Sequence, residues 1–158
     1  MRCISVPILA LVLAACQQQE PVPATTATPA PAPLAVLPSA VPPSTSRDPQ
    51  DVLFAWAKAV SVKDWATAYG YWGNHGAASG MTLDQFKASW GRLAQPDLEI
   101  GKGQLEGAAG SSFYSVSVTI IDGQRRIPGE VVLRRSNDVP GADAEQLRWH
   151  IESTTLKP

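Results

Sequence analysis

The uneven distribution of aromatic residues and prolines most limits what this chain can fold into. All eleven aromatic residues lie at or after Phe54, whereas eight prolines lie between Pro21 and Pro43. A Pro-rich segment without aromatic side chains cannot bury enough apolar surface to offset the entropy lost on ordering. We therefore expect one folded domain in the C-terminal part of the chain, preceded by segments that do not join its core.

The first fifteen residues have the features of a secretory signal. Arg2 supplies a positive end, the stretch from Ile4 to Leu13 is apolar, and two small residues, Ala14 and Ala15, follow it. The apolar stretch is too short to span a bilayer as a helix. The sequence "LAAC", which ends at Cys16, resembles the lipobox of bacterial lipoproteins. The alternative is a secreted protein in which this cysteine is incidental.

The lipobox resemblance implies a membrane anchor and a location. In bacterial lipoproteins the cysteine after the cleavage site is lipidated and becomes the mature N-terminus, so Cys16 would hold the chain on a membrane in the cell envelope. Gln17, in place of an aspartate, implies the outer membrane facing the periplasm rather than the inner membrane. The predicted domains are a lipoprotein signal peptide at 1–15, a disordered Pro/Ala/Thr-rich tether that includes the lipidated cysteine at 16–47, and a folded domain at 48–158.

Three helices are predicted at the start of the folded domain. The first begins near Ser46 or Asp48, with Pro49 in its first turn. A second, short helix follows in "KDWATAYGYW", where apolar residues recur at helical spacing. The third begins at Thr82, which forms a capping-box pattern with Gln85.

After Pro96 the apolar period changes from helical to alternating, which predicts strands. "DLEIGKGQLEG" is expected to form one strand, and Asp122-Gly123 predicts a two-residue hairpin turn that pairs Val118 with Ile127. A last strand is expected to point Leu147, Trp149 and Ile151 inward and His150 outward. The sequence thus predicts an α+β domain with three N-terminal helices packed on a curved four-stranded antiparallel sheet.

This order of elements, with "VLFAWAKAVSVKDWATAYGYWG" at its start, resembles the nuclear-transport-factor-2-like superfamily. The resemblance covers the whole folded part but rests on element order and on the pattern around Asp64, Trp65, Ala68 and Tyr69. It implies a cone-shaped fold whose interior can be a pocket. Some members of the superfamily, such as ketosteroid isomerase and dehydratases, are enzymes that place an acid or a histidine inside this cone.

Few residues are candidates for catalysis, because the inward strand positions contain no acid and no histidine. General acid–base catalysis needs a titratable group within reach of the substrate. Asp64, His75 and Asp84, on helices and loops, are the remaining weak candidates, and helix capping or surface exposure is the alternative for each. No metal site and no cofactor are expected, because Cys3 would leave with the signal peptide and only two histidines remain.

The aromatic residues suggest where a ligand would bind. We expect some of them to line a pocket for a small apolar ligand, and the alternative is that they fill the core. The predicted lining residues are Tyr69, Trp72, Trp90, Tyr114 and Trp149.

Two other kinds of partner were weighed from the sequence. A net charge of −1 and the absence of a basic stripe argue against nucleic acid. A weak homodimer is expected through the polar outer face of the sheet, formed by Ser115, Ser117, Thr119, Arg126 and Glu130. The function predicted is therefore a non-catalytic ligand-binding or scaffolding domain; a small isomerase, dehydratase or hydrolase and a protein-interaction module are the alternatives.

Overall fold

The computed structural model describes residues 41–158. The predicted signal peptide, Cys16 and most of the predicted tether lie outside the described residues. Within them the domain is α+β, as predicted, and has four α-helices and a five-stranded antiparallel sheet. No helix in this part of the chain is long and apolar enough to cross a membrane.

The helices begin where side chains cap them. Helix α1 (Pro49–Ser61) starts after Asp48, whose side chain accepts a hydrogen bond from the backbone N–H of Gln50 at 2.8 Å. Helix α2 (Trp65–Gly70) is capped by Asp64, and helix α3 (Leu83–Trp90) begins with the capping box predicted at Thr82. A 3₁₀ turn (Ala77–Ser79) precedes α3, and α4 (Ala144–Leu147) lies just before the last strand.

The sheet contains five strands, so the predicted count of four was wrong. The segment predicted as one strand forms β1 (Pro96–Ile100) and β2 (Gln104–Ala108), which both pair with β3 (Ser111–Asp122). The segment between them contains Gly103, where an added Cβ would clash with the Tyr114 ring. The Tyr114 ring therefore occupies the space that a side chain at position 103 would need.

Strands β3 and β4 (Arg125–Ser136) form the predicted hairpin in a different register. Val118 pairs with Gly129 rather than with Ile127, and the turn consists of Gly123 and Gln124 because Asp122 pairs with Arg125. Moving the turn by one residue shifts the pairing by two. Side chains alternate with a period of two, so each residue keeps its predicted face.

The last strand, β5 (His150–Thr154), differs most from its prediction. Leu147 lies in α4 instead of in a strand, and His150 is 9% exposed rather than on a solvated face. The edge of β5 that does not pair with β4 is covered by residues 71–73, which follow α2. Ile151 N–H donates to Tyr71 O at 2.8 Å, and Gly73 N–H donates to Ile151 O at 3.0 Å. The same segment packs Gly73 against the His150 ring, and both His150 and Ile151 are buried at the start of β5.

The hydrophobic core lies between α1, α3 and the inner face of the sheet. Its largest members include three aromatic side chains, Trp56, Phe86 and Trp90, which are at most 1% exposed. Phe86 stacks on Trp90 with ring centroids 5.1 Å apart, and Trp56 meets Trp90 edge-on at 5.8 Å. Residues predicted to point inward from β3 and β4, such as Val118 and Val131, are buried against them.

Residues 41–47, which the sequence assigned to the tether, contact the folded domain. Val41 N–H donates to Thr67 Oγ1 at 2.9 Å, and the Trp149 indole N–H donates to the carbonyl oxygen of Arg47 at 2.9 Å. The Arg47 guanidinium also pairs with Asp138 at 3.0 Å. We call residues 41–47 the docked segment.

Candidate functional site

A cavity lies at the edge of the sheet where β4 and β5 meet the loop after α2. Its volume is about 300 Å³, and we call it the histidine cleft because both histidines of the chain border it. Residues that line it include Gly73, His75, Arg134, Glu145, His150 and Glu152.

His150 occupies a fixed position in the cleft. Its Nδ1 lies 3.1 Å from the carbonyl oxygen of Arg148, and because a carbonyl only accepts, Nδ1 carries the proton in this contact. The ring packs against Gly73, where an added Cβ would lie 2.5 Å from His150 Cδ2. Burial lowers the pKa of His150, so the neutral ring presents Nε2 as a hydrogen-bond acceptor.

A partly buried ion pair forms one wall of the cleft. Arg148 donates to both carboxylate oxygens of Glu145 at 2.6 Å, from Nε and from Nη2, and its Nη2 also reaches the carbonyl oxygens of Gly70 at 3.0 Å and Trp72 at 3.2 Å. Partial burial of Glu145 opposes its ionisation, but the hydrogen bonds from Arg148 and from the His75 N–H outweigh this effect and lower its pKa. The wall thus ties α4 to the backbone that follows α2.

The rim of the cleft is a loop in an uncommon backbone conformation. Asn74 and His75 have φ values of 53° and 54°, and Gly76 follows at 97°. Two consecutive non-glycine residues in the left-handed region are uncommon, and such conformations cluster at functional sites. The His75 N–H donates to Glu145 Oε1 at 3.3 Å, which holds the loop against the wall.

The open side of the cleft carries groups whose hydrogen-bonding capacity is not used up. Arg134 Nη1 lies 3.5 Å from Glu152 Oε1, and its Nε and Nη2 lie 3.4 and 3.3 Å from Ser111 Oγ. These distances are at or beyond the long end of hydrogen-bond geometry. Glu152 Oε2 lies 3.7 Å from His150 Nε2, too far for a hydrogen bond.

The arrangement can bind a small polar ligand through both donors and acceptors. Arg134 offers guanidinium N–H groups, whereas His150 Nε2 and the Glu152 carboxylate offer acceptors. Within residues 41–158 no group of three or more His, Cys, Asp or Glu side chains is placed to hold a metal ion.

The three weak catalytic candidates have different positions. Asp64 caps α2, accepting from the Thr67 N–H at 3.1 Å and from its hydroxyl at 2.7 Å. Asp84 lies exposed in the first turn of α3 and borders neither cavity. His75 alone borders the cleft, so the structure does not bring the three together.

The five aromatic residues predicted to line a pocket do not surround one common cavity. Trp72 and Trp90 border the second cavity, of about 220 Å³. The other three use their polar atoms for hydrogen bonds: the Tyr69 hydroxyl donates to Met81 O, the Tyr114 hydroxyl to Gln50 Oε1, and the Trp149 indole to the docked segment.

Sequence reasoning missed the residues that build the cleft. A regular strand through 147–152 points Arg148 and Glu152 outward together with His150, and the sequence pattern does not single out Arg134 or Glu145 as site residues. A signal for the irregularity was present: Asp143 and Gln146 have the capping-box spacing that correctly predicted the start of α3, and they cap α4 in the same way.

Comparison with known proteins gives this chain no relative: no family model, no curated protein and no solved structure matches it.

Proposed function

We propose that this is a lipid-anchored protein of the bacterial envelope whose folded domain binds a small polar ligand in the histidine cleft without transforming it. The anchor is the lipid on Cys16, and the tether holds the domain in the periplasm at the outer membrane. The proposed fold is nuclear-transport-factor-2-like, with a filled interior and a ligand site at the edge of the sheet instead of inside the cone.

One observation carries the binding proposal. His150 Nε2 and Glu152 Oε2 lie 3.7 Å apart at the border of the cavity, and both are acceptors, so neither can satisfy the other. A polar ligand that donates to both would supply the missing donor. The sequence expectation of a small apolar ligand is therefore replaced by that of a polar one.

The support for the anchor is the sequence "LAAC" after an apolar stretch of ten residues. Metabolic labelling of cells with radioactive palmitate tests it directly, by comparing the wild type with Cys16→Ser. We expect label in the wild-type band and none in the variant, and membrane fractionation should then show the variant in the soluble fraction. Equal labelling of the two proteins would contradict the anchor.

Native mass spectrometry of the full chain, released gently from membranes, tests the binding. We expect an added small-molecule mass in the wild type that is lost in Glu152→Gln, a variant that keeps the shape of the side chain and removes its charge. Glu99→Gln is the matched control, because Glu99 forms an exposed ion pair with Arg126 elsewhere on the sheet.

The other outcomes separate the alternatives. A bare mass in the wild type would contradict ligand binding and leave a protein-interaction module as the function. A bound mass that changes to a second mass during incubation would show catalysis and refute the non-catalytic part of the proposal.

A further inference from the structure

We propose that the ligand of the histidine cleft is a small zwitterion of the α-amino-acid class. Its ammonium group would lie between His150 Nε2 and the Glu152 carboxylate, and its carboxylate would lie on the Arg134 guanidinium. This inference rests on the ligand-binding function proposed above and names the chemical class that the same site selects.

The acceptor pair fits an ammonium group. A nitrogen about 2.9 Å from each of two atoms 3.7 Å apart lies at ordinary hydrogen-bond distance from both. Burial lowers the pKa of His150, which keeps the Nε2 lone pair available at neutral pH. The Glu152 carboxylate adds a charge-assisted bond and balances the positive charge of the ammonium.

The guanidinium of Arg134 fits a carboxylate. A guanidinium has five N–H donors in a planar fork that matches both oxygens of a carboxylate. The three protein contacts of Arg134 measure 3.3 to 3.5 Å, so its donors are poorly satisfied. Its side chain is 39% exposed and borders the cleft, so a ligand can reach it.

The placement of the two charges selects a molecule that carries both. Arg134 and His150 lie beside different oxygens of the same carboxylate, Glu152, and they pair across β4 and β5, so the two side chains are neighbours. In an α-amino acid the ammonium and the carboxylate are attached to one carbon, so the two charges are neighbours in the ligand as well. A ligand with only a negative charge would be repelled by the Glu152 carboxylate, and a ligand with only a positive charge would be repelled by the Arg134 guanidinium.

The surroundings of the pair favour a compact ligand. Glu145 is already neutralised by Arg148, so it does not compete for the ammonium. A cavity of about 300 Å³ is at the small end of ligand pockets. This size suits a single amino acid better than a peptide.

Isothermal titration calorimetry on the full, detergent-solubilised chain tests the class. The probes are glycine, L-alanine, D-alanine, L-lysine, L-glutamate and L-phenylalanine, each followed by its amide and its N-acetyl derivative. We expect at least one amino acid to bind, and both derivatives to bind at least tenfold more weakly because each lacks one charge. An amide or N-acetyl derivative that binds as tightly as the parent would overturn the proposal.

Variants locate the binding. Glu152→Gln and Arg134→Gln should each weaken amino-acid binding at least tenfold. The matched controls, Glu99→Gln and Arg126→Gln, change an exposed ion pair outside the cleft and should leave the affinity for the amino acid unchanged. Unchanged affinity in both cleft variants would also overturn the proposal. The derivative series uses only wild-type protein, so it decides the matter even if a variant fails to fold.

The failure of this inference can be distinguished from the failure of the proposed function. If no amino acid binds but native mass spectrometry finds a mass that Glu152→Gln loses, the cleft is a ligand site and the zwitterion class is wrong. If both experiments find nothing, the proposed function fails together with the inference.

Discussion

Replacing Arg148 by methionine should destabilise the domain more than any exposed charge substitution. Methionine keeps an unbranched apolar stem but removes the donors. The carbonyl oxygens of Gly70 and Trp72 lose a donor, and Glu145, whose side chain is 20% exposed, loses its cation. The variant leaves partly buried acceptors unsatisfied, which costs more than the original bonds contributed.

The structure sets the size of this effect. Removing one partner of a buried pair costs about 3–5 kcal/mol, and each hydrogen bond to a charged group is worth roughly 1.5–3 kcal/mol. Because Glu145 keeps some solvent contact and the N–H of His75, we take the lower end, about 3 kcal/mol. For a domain of this size that corresponds to a decrease in Tm of roughly 12 °C.

Urea unfolding monitored by circular dichroism measures the free energy of unfolding of Arg148→Met and of a control, Arg126→Met. The control loses an exposed ion pair and should change by about 0–1 kcal/mol. The double variant Arg148→Met/Glu145→Met should recover part of the loss, since no unpaired carboxylate remains. A cost for Arg148→Met within about 1 kcal/mol of the control would refute the reasoning.

Three further predictions concern pH, capping and the docked segment. Since the pKa of His150 is lowered below its ordinary value of 6.5, the unfolded chain takes up this proton at a higher pH than the folded chain. The free energy of unfolding should therefore fall as the pH decreases from about 6.5 to about 5 in the wild type and in His75→Asn, and should fall less over this interval in His150→Asn; equal pH dependence of all three within it would contradict the assignment. Asp64→Ala should cost about 1 kcal/mol in urea unfolding, because α2 loses its N-cap, and no measurable change would show that the cap contributes nothing. Trp149→Phe removes the indole hydrogen bond to the docked segment, so trypsin should cleave after Arg47 several times faster than in the wild type, and an unchanged rate would show that this bond does not hold the segment.

The hairpin shows how far local sequence signals reach. Alternation in the two strands correctly predicted the hairpin and which residues face the core. The exact turn was wrong by one residue because Asp122 has a distant role: its Oδ1 accepts from the N–H groups of Ala94 at 2.9 Å and Gln95 at 2.7 Å. Turn propensity describes neighbours in sequence, so it could not include these partners.

The histidine cleft was missed for a related reason. Strand alternation places His150 on the outer face of the sheet, and the prediction assumed that this face of β5 is in contact with solvent. In the structure the Gly73 backbone pairs with β5 and covers that face, because a glycine leaves room for the imidazole ring. Burial of His150 therefore depends on a tertiary contact between segments more than seventy residues apart in sequence.

The position of the cleft follows from how the core is packed. An interior ligand site would need the space of a side chain such as Trp90, which contacts both Trp56 and Phe86. Removing an aromatic side chain from a core costs about 3–5 kcal/mol, a large share of the roughly 5–15 kcal/mol that stabilises a typical domain. At the edge of the sheet, by contrast, the histidine cleft provides about 300 Å³ that is lined by no member of the core. A ligand in the cleft would therefore leave the packing of Trp56, Phe86 and Trp90 unchanged, which is consistent with the proposed site.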